Sequence, residues 1–197
     1  MKILNLIENT EGAEGCTAEH GLSFYIETEK HRLLMDLGPS ASVIGNAEKL
    51  GVDAQFQVMD AEDPDFEDES FDVLVTRNLT WTLPNMDKAY REWYRLLCPG
   101  GVLVNFDADY CRAAEEEVEL PENHAHKLIP DHLQRENEFI TMELSAYQMP
   151  RPQWDVQLLV EAGFERISVD MGVYRRIYRE IDEFYNPVSI FTIAAWK

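Results

Sequence analysis

Apolar and polar residues are spaced differently in different parts of the chain. The first clear pattern is a pair of short runs in which they alternate. Residues 22–27 and 32–37 alternate in polarity around a polar connection, which predicts a β-hairpin. A helix is predicted from about residue 41 to residue 50, where Gly51 ends the pattern. Residues 55–59 predict a further strand, so this part of the chain mixes strands with one helix.

A strand, a helix and a second strand then follow in the order of a βαβ unit. Residues 72–76 and 102–106 are nearly continuous apolar runs, as in strands that are buried on both faces of a parallel sheet. Between them, apolar positions recur at helical spacing over residues 86–97, and Cys98-Pro99-Gly100-Gly101 ends that helix. This order predicts a parallel crossover, and therefore the α/β fold class.

The rest of the chain predicts a polar excursion, one helix and two strands. Residues 111–150 are polar and helix-prone, and insertions of this kind often form a cap over a substrate. A helix over residues 154–162 ends at Gly163, and strands are predicted at residues 165–171 and 190–196.

Composition and charge narrow the functions that such a fold could serve. The chain has 197 residues, with 17 Lys and Arg against 37 Asp and Glu, and its net charge is −20. This field repels phosphate backbones and anionic lipid, so neither nucleic acid nor a membrane surface is expected as a partner. Three scattered cysteines without a CxxC pair favour a reducing compartment, and the short apolar run at the amino terminus does not predict a signal peptide. The expected location is cytoplasmic.

Four segments carry a family resemblance. QVMDAEDPDFEDESFDVLVTRNLTW, RLLCPGGVLVNFD, LLVEAGFERISVD and SIFTIAAWK follow one another in the order and spacing of a class I, Rossmann-like S-adenosylmethionine-dependent methyltransferase, which the chain resembles over about residues 47–197. The resemblance implies an incomplete Rossmann-like sheet that is mostly parallel, has an antiparallel last strand and is preceded by a β-hairpin.

The resemblance also implies where the cofactor S-adenosylmethionine would bind. Asp60 and Ala61, just beyond the third strand of the family, match the position that holds the adenine: the carboxylate accepts the exocyclic amine proton, and the next backbone N–H serves a ring nitrogen. Arg77, Asn78 and Leu79 match the tip of the fourth strand, where backbone carbonyls face the methionine ammonium and the sulfonium.

The catalytic residues are left unassigned, because methyl transfer asks mainly for alignment of a nucleophile with an activated methyl group. By resemblance, Tyr110 would lie near the substrate mouth. The cap offers His124, His126, His132 and Asp131 as bases if the acceptor needs to lose a proton, although a histidine in such a cap is more often a surface residue.

The first half of the family pattern is not recognisable in its usual form. Residues 36–42 (DLGPSAS) mimic the Gly-rich loop, with serines in place of the later glycines, and they follow a strand and open a helix. The next predicted strand then leads directly to Asp60, so one strand–helix unit with its ribose-binding acid is absent.

The opening segment resembles a different family. Residues 9–38 are similar to the start of a metallo-β-lactamase-fold hydrolase, but the H-x-H-x-D-H metal run of that family does not follow. The nearest string, HAHKLIPDH at residues 124–132, has four residues between its second His and the Asp instead of one. No metal is therefore expected. The predicted domains are residues 1–50 and residues 51–197, packed as one unit and joined at a natural junction between unrelated coding sequences.

Three functions of different classes remain open. The first is an S-adenosylmethionine-dependent methyltransferase that acts on a small molecule. The second is a non-catalytic chimeric or truncated remnant that folds without binding cofactor and forms a homodimer through an exposed sheet edge. The third is a metal-dependent hydrolase, which is least favoured because its ligands are absent.

Overall fold

Seven strands and five helices form the described part of the chain. The computed structural model describes residues 1–8, 10, 12–19, 21–38, 40–112, 119–124, 127, 129–182 and 185–197. These residues divide into two units, Met1–Asp60 and Ala61–Lys197. The first unit contains β1 (Lys2–Ile7), β2 (Ser23–Glu27), β3 (Arg32–Met35) and α1 (Ser42–Lys49). The second contains β4 (Phe71–Arg77), α2 (Met86–Leu96), β5 (Leu97–Ala108), α3 (Asp131–Glu143), α4 (Gln153–Ala162), β6 (Arg166–Asp170), α5 (Val173–Ile177) and β7 (Ile190–Trp196).

The first unit is built on an antiparallel sheet in the order β1-β2-β3. The predicted hairpin is confirmed, with Glu27 opposite Arg32 at its tip. A strand that the sequence pattern did not predict, β1, pairs with the other side of β2, where Ile3 lies opposite Ile26. The core of the unit consists of residues from β1, β2 and α1: Leu6, Ile7, Tyr25, Val43 and Ala47.

The strand predicted at residues 55–59 is wrong. Residues 52–60 contain neither strand nor helix. Phe56 packs against the core of the first unit, but Val58 is fully exposed. A strand requires a neighbour to which its N–H and C=O groups can bond, and residues 55–59 pair with none of the described strands. The alternating pattern therefore produces a partly buried segment without a ladder.

The second unit contains a mixed sheet in the order β4-β5-β7-β6. β4 and β5 are parallel, whereas β7 is antiparallel to both of its neighbours, β5 and β6. The α/β class and the antiparallel last strand are thus confirmed. The prediction of a mostly parallel sheet holds for the directions of the strands, but not for their pairing, because β7 lies between two strands that run the other way.

The Pro-Gly-Gly turn ends α2 as predicted, and it also forms the irregular beginning of β5. Phe71 lies opposite Leu97, but the next pair in register is Val73 with Val102, so the ladder is interrupted between them. Gly101 is required at this point, because an added Cβ would lie 2.9 Å from the carbonyl oxygen of Cys98 and 3.1 Å from that of Asp72.

Helices α2 and α4 cover one face of this sheet. α2 is capped at its amino terminus by Asn85, whose side chain accepts a hydrogen bond of 3.0 Å from the N–H of Lys88. α4 ends at Gly163, as predicted, with a φ of 110°. The buried core between the helices and the sheet includes Ala89, Tyr90 and Trp93 on α2, Leu158 and Leu159 on α4, and Leu103, Phe191, Ile193 and Ala195 on the sheet.

The predicted cap at residues 111–150 contains α3 and a 3-10 turn, Ser145–Tyr147, in its described part. No residue of α3 is buried. The domain boundary at residue 50 and the packing of the two domains stay predictions. None of the helices within the described ranges is both long enough and apolar enough to cross a bilayer.

Candidate functional site

The carboxyl ends of β4 and β5 meet at one edge of the mixed sheet. Arg77 lies opposite Phe106 at the end of the parallel ladder, and the N–H of Asn78 donates a hydrogen bond of 2.8 Å to the carbonyl of Phe106. Asn78 has a φ of 49°, a left-handed conformation that costs an L-residue about 1 kcal/mol and that asparagine tolerates better than most. A tight turn therefore leaves the sheet at the position predicted for the cofactor.

Ala61 and Leu79 are each held by hydrogen bonds to their own carbonyl groups. The carbonyl of Ala61 accepts the indole N–H of Trp93 at 2.9 Å, which fixes Ala61 against α2. The carbonyl of Leu79 accepts both the N–H of Thr82 at 3.0 Å and its hydroxyl at 2.7 Å. Asp60 is the exposed last residue of the first unit. The cofactor roles of these positions stay predictions.

Tyr110 lies beside the same turn. Its hydroxyl donates to Oδ1 of Asn78 at 3.1 Å and accepts from Nδ2 of Asn186 at 3.0 Å. The ring of Tyr110 lies 5.1 Å from that of Trp81, between centroids. Burial raises the pKa of Tyr110 to about 12, so the phenol is neutral in the physiological range. The structure therefore places Tyr110 beside the turn that contains Asn78, and its position near a substrate mouth stays a prediction.

A buried ionic cluster lies beneath this edge. Asp107 near the end of β5, Arg151 before α4, and Asp155 in the first turn of α4 all have side chains that are at most 1% exposed. Arg151 donates to Asp155 through Nε at 2.9 Å and Nη2 at 2.6 Å, a two-point contact. Its guanidinium also lies 3.4 Å from Oδ2 of Asp107. One cation is therefore shared by two buried carboxylates.

Neutral side chains complete the cluster. The hydroxyl of Thr80 donates to Oδ2 of Asp107, and that of Tyr90 donates to Oδ1 of Asp155 at 2.7 Å. Asn105 donates through Nδ2 to Oγ1 of Thr80 at 3.1 Å and to the hydroxyl of Tyr90 at 3.3 Å. We call these six residues the buried network.

Burial and charge shift the pKa values of the buried network in different directions. Burial raises the pKa of Asp107 above its ordinary value, although Arg151 and the Thr80 hydroxyl act in the opposite sense. Burial opposes the charge of Arg151, but its bonds to Asp155 and the field of both carboxylates outweigh this effect and raise the pKa of Arg151. The contacts of Asp107 are all with donors, from Thr80, Trp81, Ala108 and Arg151, which suits an ionised carboxylate at neutral pH.

Sequence reasoning did not find the buried network. The chain did offer one signal, because Arg151 and Asp155 have opposite charges and lie on either side of residue 154, where a helix is predicted to begin. Nothing local showed that this pair is buried or that it meets Asp107, which is 44 residues earlier in the chain.

The candidate bases in the cap have different surroundings. His124 is buried, and its Nε2 lies 2.7 Å from the carbonyl oxygen of Tyr185, an arrangement in which the ring donates. His132 and Asp131 are exposed on α3. His126 lies outside the described residues. For the three described side chains, His124, Asp131 and His132, the structure adds no reason to assign a base.

The loop that mimics the Gly-rich loop, residues 36–42, is bound to an acid of its own unit. The hydroxyls of Ser40 and Ser42 donate to the two carboxylate oxygens of Glu19 at 2.6 and 2.7 Å. These bonds lower the pKa of Glu19. Gly38 has a φ of 66°, and an added Cβ would lie 2.9 Å from the side chain of Ile7. Pro39 lies outside the described residues.

Comparison with known proteins finds a family model that matches part of the chain and a solved structure with a similar fold. Residues 15–105 match the model of the methyltransferase domain family. The ubiquinone/menaquinone biosynthesis C-methyltransferases UbiE of Brucella canis and Brucella abortus are each 29% identical to the chain over 158 residues, covering 71% of this chain. The chain spans 55% of the length of these relatives. The family model, which begins at residue 15, also covers most of the first unit. The resemblance of that segment to a metallo-β-lactamase-fold hydrolase stays a prediction.

Among solved structures, an S-adenosylmethionine-dependent methyltransferase from Mesorhizobium loti is similar with a TM-score of 0.52 and 17% identity, covering 83% of this chain and 78% of the other. At this level of identity the similarity concerns the fold. The chain therefore has the α/β fold of such a methyltransferase and carries, over residues 15–105, a match to the methyltransferase domain family.

Proposed function

We propose that this protein is an S-adenosylmethionine-dependent methyltransferase that acts on a small molecule. The observation that carries the proposal is the turn at the carboxyl end of β4, where Asn78 adopts a positive φ and its N–H bonds to Phe106 of the parallel neighbour. Ligands of open α/β sheets bind at this edge. The family match includes β4 and the first part of β5, the two strands that form the edge.

The hydrogen bonds at this turn refine the predicted cofactor contacts. The carbonyl of Leu79 already accepts two hydrogen bonds from Thr82, so it is poorly suited to take the methionine ammonium. We assign the ammonium to the main-chain carbonyls of Arg77 and Asn78 instead. The carbonyl of Ala61 is bonded to Trp93, which leaves its N–H for the adenine, with Asp60 accepting the exocyclic amine.

The residues at the edge are suited to positioning. When bound, the cofactor supplies a methyl group that is already activated on a sulfonium, so the chain has to align the acceptor and exclude water. Trp81 and Tyr110 form a half-buried aromatic pair next to Asn78. Tyr110 is neutral and hydrogen-bonded on both sides, so we give it a binding role and leave the base unassigned.

The net charge and the outer strands of the mixed sheet support the partners that we propose. A net charge of −20 disfavours polyanionic acceptors and anionic membranes, and this supports a small-molecule acceptor. The outer strands of the mixed sheet are β4 and β6. A second copy of the chain at one of these edges, which would make a homodimer, stays a prediction.

One observation favours the alternative, a protein that folds without binding the cofactor. Glu19 occupies the hydroxyls of Ser40 and Ser42 in the loop that mimics the Gly-rich loop. A loop that already binds a carboxylate of its own chain offers fewer donors to a ligand. A chimeric origin of the amino-terminal segment belongs with this alternative.

Calorimetric titration of the full chain with S-adenosylhomocysteine tests the proposal. We expect micromolar binding by the wild type. Asp60→Ala should weaken it about 10- to 150-fold, because a hydrogen bond to a charged group contributes about 1.5–3 kcal/mol. The matched control is Asp53→Ala, which removes another exposed acid of the same unit and should leave the affinity within threefold.

Each other outcome has a distinct meaning. No heat up to millimolar ligand, from a protein that is folded by circular dichroism, would establish the alternative. Micromolar binding that Asp60→Ala and Asp53→Ala leave equally unchanged would retain the methyltransferase and remove Asp60 from the site.

A further inference from the structure

The buried network places charges where apolar side chains would serve packing better. Asp107 and Asp155 are fully buried against the single guanidinium of Arg151. Removing such charges from water is costly, and replacing them together by apolar groups often stabilises a protein. The buried network is therefore weak evidence of a contribution to the stability of the fold. Its hydrogen bonds are directional, so they can fix the position of the chain segments that they join.

Its directional bonds converge on the turn that follows β4. The carboxylate of Asp107 accepts the hydroxyl of Thr80 and, at 3.2 Å, the N–H of Trp81. Nη2 of Arg151 donates to Oγ1 of Thr80 at 2.5 Å, and Nη1 donates to the carbonyl of Ala108 at 3.2 Å. Residues from β5 and from the start of α4 thus hold the 3-10 turn Thr80–Thr82 on the sheet.

The same turn is held on its other side by the sheet itself. The N–H of Asn78 bonds to Phe106 at 2.8 Å, only one residue before the anchoring Asp107. The chain from Asn78 to Trp81 is therefore bound at both ends, with Asn78 in a left-handed conformation that persists only when its surroundings enforce it. The directions of the main-chain carbonyls between these two anchors follow from them.

We propose that Thr80, Asp107 and Arg151 are positioning residues that orient the main chain of residues 77–79 for the methionine end of the cofactor. This inference rests on the proposed function, since it assigns a role within the same site. The three side chains act through the turn, so none of them is expected to touch the cofactor.

Two threonine variants separate positioning from general stability. Thr80→Val removes the hydroxyl that Asp107 and Arg151 share. Thr76→Val makes the same chemical change four residues earlier, in β4, where the hydroxyl bonds to Oδ1 of Asn105 at 3.0 Å. We expect Thr80→Val to weaken S-adenosylhomocysteine binding at least tenfold and Thr76→Val to change it less than threefold. Thr80→Ser, which keeps a hydroxyl, should restore the affinity to within threefold of the wild type.

Hydrogen exchange gives a measurement that does not depend on the ligand. The N–H of Trp81 donates to Asp107, so its exchange should be faster in Thr80→Val than in Thr76→Val. If Thr80→Val does not fold, Asp107→Asn makes the same test, because it weakens the acceptor of both bonds. The affinity and the exchange rate are measured on the full chain.

The results distinguish failure of this inference from failure of the proposed function. Micromolar binding that is the same in the wild type, Thr80→Val and Asp107→Asn would overturn the inference and leave the methyltransferase intact. Equal weakening by Thr76→Val and Thr80→Val would also overturn it, because the effect would then follow loss of stability. A folded wild type that does not bind would overturn both.

Discussion

The hydroxyl of Tyr110 donates a hydrogen bond of 3.1 Å to Oδ1 of Asn78, so the ends of β5 and β4 are joined by side chains as well as by the ladder. The same hydroxyl accepts from Asn186, at 3.0 Å, in the segment before β7. One phenol thus connects three separate parts of the chain at the edge where we place the site.

Replacement of Tyr110 by Phe should destabilise the protein by about 1–3 kcal/mol at neutral pH, because two hydrogen bonds are lost. Burial raises the pKa of Tyr110 from 10.0 to about 12, so the folded state disfavours the phenolate. The stability advantage of the wild type over Tyr110→Phe is therefore constant below pH 10 and declines as the pH rises from about 10 to about 12. Urea unfolding of both proteins at several pH values measures the difference.

Tyr147→Phe is the control for this titration, because Tyr147 is 40% exposed. Its stability difference from the wild type should be close to zero at neutral pH. A difference for Tyr110→Phe that does not change above pH 10 would contradict the assigned pKa direction.

Asp107 and Asp170 should show opposite pH dependence. Burial raises the pKa of Asp107, so its contribution is most favourable below the ordinary value of 3.8 and is lost as the pH rises through the folded value. The hydrogen bond from Arg176 lowers the pKa of Asp170, so its contribution is present above 3.8 and is lost as the pH falls. On raising the pH from 3, the wild type should lose stability relative to Asp107→Asn and gain it relative to Asp170→Asn.

Unfolding free energies of the three proteins between pH 3 and pH 7 check this prediction. Each difference compares proteins that share all other titrating groups, so their contributions cancel. Slopes of the same sign for the two variants would show that Asp107 is not held in the buried environment described above.

Two glycine-to-alanine changes should also have effects of opposite sign. At Gly101, the new Cβ would meet two backbone carbonyl oxygens at 2.9 and 3.1 Å, and we expect a loss of about 1–3 kcal/mol. At Gly45, within α1, nothing lies within 4 Å of the new Cβ, and we expect a gain of about 0.5–1 kcal/mol. Unfolding followed by far-ultraviolet circular dichroism measures both; a Gly101→Ala protein as stable as the wild type would argue against the close approach of Cys98 and Asp72.

The local pattern of apolar and polar residues was sufficient to predict several elements of the second unit. The apolar run of β4, the helical spacing of α2 and the glycine that ends α4 all appear where the sequence placed them. Pattern failed at residues 55–59, where the residues alternate in polarity but pair with no described strand. The local pattern also did not predict β1, which pairs with residues of β2 about twenty positions away.

The site was predicted less completely than the fold, for a physical reason. The turn at Asn78 could be found because it follows a recognisable strand. The buried network could not be found in this way, because arginine is usually a surface residue. Arg151 is buried only because the fold brings the distant residues Asp107 and Thr80 to it. Long-range ion pairs leave no periodic trace in a sequence.

The place of β7 between β5 and β6 has a consequence for the order in which the second unit can assemble during synthesis. β4, α2 and β5 are consecutive and pair locally, so they can form while the rest of the chain is still being made. β6 emerges next but finds its partner only when β7 follows about twenty residues later and inserts beside it. Until then β5 presents an unpaired edge to the cell, and a ribosome that stalls before residue 190 would release a chain prone to aggregation.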